Sequence, residues 1–156
     1  MRHRRDGRSL GRTAEHRRAL MRNLVTELFR HERIETSISK AKEARRVAER
    51  MITFAKKGDL SARRQVARFI FDESVTKKLF DTIAPWYAER QGGYTRIIRT
   101  RRRLGDAGEM GLFELVKSPE QIALEKKARE AAALAAKDRK KATKSKAKGD
   151  EEGAEA

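Results

Sequence analysis

The chain has no cysteine, two prolines, one tryptophan and two tyrosines among its 156 residues. Without cysteine there is no disulfide framework, no thiolate zinc site and no cysteine nucleophile. No apolar run approaches the ~20 residues of a membrane-spanning helix. No signal peptide is visible either. The basic start passes into more charge, and the first apolar stretch, residues 19–29, is broken by Arg22, Asn23 and Glu27. A cytoplasmic chain with no membrane partner is expected. The three histidines, His3, His16 and His31, show no metal-ligand spacing with a carboxylate or with one another. There is no phosphate-binding glycine loop, no dinucleotide fingerprint and no nucleophile elbow. The expectation is therefore no enzyme, no cofactor, no metal and no small-molecule substrate.

What the chain does have is positive charge. Lysine and arginine number 39 against 23 acids, a net +16. Such an excess favours nucleic acid or an anionic surface and is silent about fold. It is densest at the start, where seven arginines fall in the first eighteen residues with no aromatic residue among them. This segment has little to bury and its charges repel, so it is expected to need a polyanion to give it shape. Arginine forks suit phosphate oxygens and base edges. Arg2, His3, Arg4, Arg5, Arg8 and Arg12 form a basic arm over residues 1–12. His16, Arg17, Arg18 and Arg22 carry the charge onto the next element. A solvated, disordered terminus is the alternative.

The chain divides near Lys117. Residues 1–116 hold all six phenylalanines. Residues 117–156 offer only Ile122, Leu124 and Leu134 as bulky aliphatics, in an Ala/Lys/Glu-rich context. Eleven cations against eight acids leave +3 on this tail and +13 on the rest. A stretch over 118–130 could be helical, but the tail reads as disordered in isolation. Residues 1–116 are enough to bury one core.

Hydrophobic spacing within that part changes period several times. Thr13 caps a helix over 14–31 with Leu20, Leu24 and Leu28 at i+4. Ile34, Thr36 and Ile38 alternate as a short strand. Ser39 caps a helix whose apolar face is Ala44, Val47, Ala48, Met51, Ile52 and Ala55. Gly58 ends it. Asp59 opens a short helix with Leu60, Val66, Ala67 and Ile70 inward. Asp72 or Ser74 caps another, with Val75, Leu79 and Ile83 inward, and Pro85 limits it or starts its last turn. Trp86 is expected to anchor the core. After the Gly92-Gly93 break, 94–101 and 110–116 form a hairpin around a loop at 105–108. The order α-β-α-α-α-β-β suits a two-layer α+β domain, with helices on one face of a small sheet.

Two further places could bind a polyanion. The first is Gly92, Gly93, Tyr94, Thr95 and Arg96, followed by Arg99, Arg101, Arg102 and Arg103. Glycines allow positive φ and close backbone approach, a tyrosine can stack on a base, and arginines along a strand line one face. The alternative is an ordinary turn with Tyr94 in the core. The second is Lys40, Lys42, Arg45 and Arg46 at the start of the long helix, where they oppose the helix dipole. A solvated face, with Glu43 and Glu49 pairing one turn away, is the alternative there.

Taken together, these blocks closely resemble one family. Met1-Arg2-His3-Arg4, Gly7, Leu10, Arg12, His16-Arg17 and Arg22-Asn23 match its opening. His31, Ile34, Thr36, Lys40-Ala41-Lys42-Glu43, Arg45-Arg46 and Ile52-Thr53 follow. The most specific block is Gly92-Gly93-Tyr94-Thr95-Arg96-Ile97 with Arg103, Gly105-Asp106, Met110 and Glu114-Leu115-Val116. The family is bacterial ribosomal protein seventeen of the large subunit, and the resemblance covers residues 1–116. Departures are Ser37, where threonine is usual, and Gly111, where alanine is usual. The resemblance implies a structural protein that binds large-subunit (23S) ribosomal RNA near the peptide exit region. It implies contact with a neighbouring small protein, number thirty-two of the large subunit. A DNA-compacting protein is a second reading of the charge, but no helix-turn-helix spacing or dimer seam supports it. An RNA-processing enzyme is a third, without an active-site constellation.

Overall fold

The computed structural model describes residues 7–117. Helix α1 (Ala14–His31) starts at Thr13, whose side chain accepts from the His16 N–H, and turns its face of Met21, Val25, Leu28 and Phe29 inward. Glu32 reverses the chain at φ 64°, and strand β1 (Arg33–Ser37) follows. Helix α2 (Ile38–Lys57) carries the most continuous apolar stripe: Ala41, Ala44, Ala48, Met51, Ile52 and Ala55 are buried, with Ile38 at its start. Gly58, at φ 72°, ends α2 in the left-handed region that favours glycine.

The N-cap of α2 corrects an expectation. It is Ser37, without a side-chain bond, so Ile38 belongs to the helix and Ser39 lies inside its first turn. Both elements claim the apolar Ile38, and the helix wins because it places that side chain in the same stripe as Ala41. Helix α3 (Leu60–Ala67) is opened by Asp59, which accepts from the Ala62 N–H at 2.7 Å. Its buried residues are Ala62 and Val66, while Leu60 is 63% exposed and Ala67 is exposed. An eight-residue helix has room for one narrow stripe, and the 62/66 spacing takes it.

Asp72 caps α4 (Glu73–Lys78), and the helical path continues through a π-helical stretch, Leu79–Ile83, into a last turn, α5 (Ala84–Trp86). The Ala84 N–H reaches back to Leu79 O across the widened turn. Pro85 explains the widening: its ring has no N–H and clashes with a carbonyl four residues earlier in a regular helix. Val75, Leu79 and Ile83 are buried at i+4, as their spacing requires. Trp86 is half-buried against the core, and the fully buried ring beside it is Tyr87.

Strands β2 (Thr95–Arg102) and β3 (Glu109–Leu115) form the hairpin, and β3 also pairs antiparallel with β1, giving the order β1-β3-β2. The register sets Ile34 and Ile97 on either side of Phe113, and Thr36 and Arg99 on either side of Gly111. Phe113 is completely buried under the helical layer. Helix α2 lies against all three strands. A Cβ at Gly111 would sit 3.2 Å from Ile38 Cγ1 and 3.2 Å from Ile98 O, so the glycine lets β3 and α2 close on each other. This is the two-layer α+β arrangement in the expected order.

Candidate nucleic-acid interface

The described part of the arm, residues 7–12, has a shape of its own. Arg12 N–H donates to Ser9 O at 3.1 Å, closing a tight turn through Leu10 (φ 54°) and Gly11 (φ 62°). Leu10 packs against the core. The Arg8 guanidinium donates to Ser39 Oγ at 3.2 Å and pairs with Glu43 at 3.7 Å. These contacts give residues 7–12 partners within the chain. A partly buried leucine and one carboxylate supply them. Arg2, His3, Arg4 and Arg5 lie outside the described residues.

The docked arm forms one wall of an open groove of about 870 Å³. Arg17, Arg18 and Arg22 from α1 and Arg46 and Arg50 from α2 line it, with Arg8 at the arm; Glu15 and Glu43 are its carboxylates. Arg50 was not singled out in the sequence, although it lies one turn beyond Arg46 on the same face.

Intramolecular bonds sort the cations into two groups. Arg22 is occupied: its Nε donates to Phe69 O at 2.7 Å, and its guanidinium lies 3.9 Å from the Phe71 ring centroid and 5.7 Å from that of Phe69. It ties α1 to the turn after α3. Arg45 pairs with Glu49 at 3.1 Å, and Glu49 also accepts from Thr95 Oγ1 at 3.0 Å, which ties α2 to β2. Arg12 donates from Nη1 to Leu10 O at 3.0 Å, while its buried Nε has no hydrogen-bond partner. By contrast, among the described residues the side chains of Arg17, Arg18, Arg50, Lys40 and Lys42 have no ion-pair partner. His16 is exposed beside them.

The β2–β3 ribbon divides in the same way. Arg96 places two donors on Glu114 Oε1, at 2.8 and 2.6 Å, and Arg33 approaches the same carboxylate at 3.8 Å. Arg101 pairs with Glu35 at 3.2 Å. Arg103 makes a two-pronged bond with Asp106, at 2.9 and 2.5 Å. These bonds, with the Gly108 N–H donating to the same carboxylate, hold Asp106 well below the usual carboxylate range. Among the described residues, Arg99 and Arg102 have no such partner. A register shift between these two breaks the regular pairing.

Tyr94 and Thr95 are each 4% exposed. The Tyr94 ring is 5.0 Å from that of Tyr87, and Lys56 Nζ donates to its hydroxyl at 3.3 Å. A base cannot stack on Tyr94 without opening the core, so the alternative reading of this residue holds. Gly92 (φ 106°) and Gly93 (φ 62°) do adopt positive φ, and added Cβ atoms would meet no protein atom within 4 Å. What restricts these positions within the chain is backbone conformation, and the space beside them is open.

Among the described residues, no three His, Cys, Asp or Glu side chains group as metal ligands, and no helix is long and apolar enough to cross a membrane.

The profile of the family described as Ribosomal protein L17 matches residues 20–116. Proteins named large ribosomal subunit protein bL17 are similar to the chain. That of Desulforamulus reducens is 62% identical over 109 residues, covering 70% of this chain and 97% of its own length. That of Trichlorobacter lovleyi is 57% identical over 123 residues, covering 78% and 99%. That of Clostridioides difficile is 59% identical over 109 residues, covering 70% and 96%. With its two-layer fold and its arginine-lined groove, the chain belongs to the bacterial ribosomal protein L17 family.

Proposed function

We propose that the protein binds large-subunit ribosomal RNA chiefly through phosphates and thereby supports subunit assembly. Membership of its family makes it a structural, non-enzymatic constituent of the large ribosomal subunit, a cytoplasmic particle. The observation that carries the RNA reading is the sorting of cations. Among the described residues, Arg17, Arg18 and Arg50 beside the arm, and Arg99 and Arg102 on the ribbon, have no carboxylate partner, whereas Arg8, Arg30, Arg45, Arg96, Arg101 and Arg103 do. Guanidinium forks left without a carboxylate, in the groove and along the ribbon, suit phosphate oxygens. Contacts of this kind position a protein on an RNA backbone, and a folded RNA is then recognised by shape.

In this reading Arg2, His3, Arg4 and Arg5 add phosphate contacts, Lys40 and Lys42 at the start of α2 do the same, and the open space at Gly92-Gly93 admits a strand of RNA. Arg22, Arg45, Arg96, Arg101 and Arg103 orient the elements that carry the unpaired cations. Residues 1–116 form the binding unit, and 117–156 add a weak surface contact. The protein contact proposed from the family resemblance is the neighbouring protein number thirty-two.

The test is competition binding of the full chain to 23S ribosomal RNA, duplex RNA and duplex DNA. It is joined to co-sedimentation with large subunits in high salt. Preference for the ribosomal RNA and retention on the subunit are expected. Equal affinity for all three, with loss from the subunit at high salt, overturns the reading.

A further inference from the structure

The hairpin tip holds a side chain that none of its contacts requires. Leu104 is 94% exposed, at the end of a loop that is not free to fold it away. The Arg103 N–H donates to Gly108 O at 2.9 Å, closing the loop at its base. Asp106 accepts from the Gly108 N–H at 3.1 Å and from the Arg103 guanidinium. Gly105 (φ 101°) and Ala107 (φ 50°) take up the left-handed turns that this clamp demands. The clamp thus fixes the backbone on both sides of a bulky aliphatic side chain and leaves that side chain in water. A single exposed leucine on a mobile surface needs no explanation. A leucine presented on a clamped tip, at the end of the strand that carries Arg99 and Arg102, is a preorganised contact.

We propose that Leu104 is an apolar wedge that presses against base faces at an opened step of the RNA, while Arg99 and Arg102 hold nearby phosphates. The inference rests on the RNA reading above and adds to it a contact that carries no charge. Aliphatic side chains used in this way unstack neighbouring bases and exploit the hydrophobic effect against the exposed faces. The charge of the ribbon favours RNA over a protein at the tip. Of its acids, Asp106 is engaged by Arg103 and Glu114 by Arg96, and Glu109, opposite Arg102 in the register, is left facing a strand that carries Arg99, Arg101 and Arg102.

The wedge and the phosphate contacts have different salt signatures, and the full chain can be tested on naked 23S ribosomal RNA transcript across a salt series. Leu104→Ala should weaken binding roughly tenfold, the effect of losing part of a buried leucine. The slope of log affinity against log salt should stay unchanged, because no counterion is released at this contact. Leu104→Met should restore binding. Arg102→Ala should instead lower the slope by roughly 0.7–0.9. In the parent complex, one or two bases should gain reactivity toward a base-face chemical probe, and Leu104→Ala should remove that gain.

Because Leu104 touches almost nothing in the chain, its variants should melt with the parent. Parent-like affinity of Leu104→Ala on naked RNA overturns the wedge. It does so also if that variant fails to enter subunits, an outcome that would place a protein at the tip. A fall in slope with Leu104→Ala also overturns it. If the parent itself shows no preference for the transcript, the RNA reading fails first and the wedge with it.

Discussion

Arg18 and Arg22 stand one turn apart on α1, and the structure predicts that they fail in different ways. Arg22 bonds within the chain: its Nε–H donates to Phe69 O at 2.7 Å, and its guanidinium is held over Phe71 at 3.9 Å. A hydrogen bond from a charged group contributes about 1.5–3 kcal/mol. A partly exposed cation–π contact adds about 0.5–1 kcal/mol. Water will satisfy the freed carbonyl in part, so Arg22→Ala should cost about 2 kcal/mol. In a domain of this size that lowers Tm by roughly 8 °C. Arg22→Lys, which lacks the planar fork, should recover little of it.

Arg18 and Arg50 border the same groove without carboxylate partners among the described residues. Arg18→Ala/Arg50→Ala should leave stability within about 1 kcal/mol of the parent. Its log–log salt slope on 23S ribosomal RNA should fall by roughly 1.4–1.8, two phosphate contacts' worth. Thermal unfolding by circular dichroism and a salt titration of RNA affinity are run on both variants. A parent-like Tm with a reduced slope for Arg22→Ala would refute the assignment of that side chain to the fold. An unchanged slope for the double variant would refute the phosphate reading of the groove.

Three shorter predictions accompany this one. Gly93→Val should destabilise the chain by about 1–3 kcal/mol through backbone strain alone, since a β-branched residue is forced to φ 62° with no clash to relieve; chemical denaturation measures it. The Asp72 carboxyl is held down to about 2 by the Ser74 hydroxyl first, then by Arg30 and the Val75 N–H. Its stabilising effect is complete above the ordinary carboxylate value and is lost as pH falls through about 2, so the Tm difference between parent and Asp72→Asn should be constant above about pH 4 and shrink below it. Truncation after Lys117 should leave melting and entry into large subunits close to those of the full chain, and a large loss in either would show that 118–156 anchor the protein.

Much of this protein was legible in the order of its residues because the signals are local. The stripe from Ala44 to Ala55, Gly58 behind it, the Asp59 cap and the i+4 run of Val75, Leu79 and Ile83 each act within one element. Helix and strand periods record them directly. The basic arm and the Arg99–Arg103 run were equally plain as charge. Sequence alone also placed the chain in its family, because that match depends on residue identity and not on geometry.

The state of each charge was decided only by the tertiary structure. Sequence shows arginines at 99, 101, 102 and 103, but it cannot show that Glu35, sixty-six residues before Arg101, removes one of them. Nor does it show that Asp106 turns Arg103 inward on its own loop while Arg99 and Arg102 stay unpaired. It ranks Arg18 and Arg22 alike, and only the arrival of Phe69 and Phe71 beside α1 separates them. Tyr94 met the same ambiguity, since an aromatic after two glycines suits a base as well as a core until Tyr87 and Lys56 close around it. In each case the physical reason is the same. A charge or a ring becomes available to a partner only if the fold leaves it unsatisfied, and that balance is struck between residues far apart in the chain.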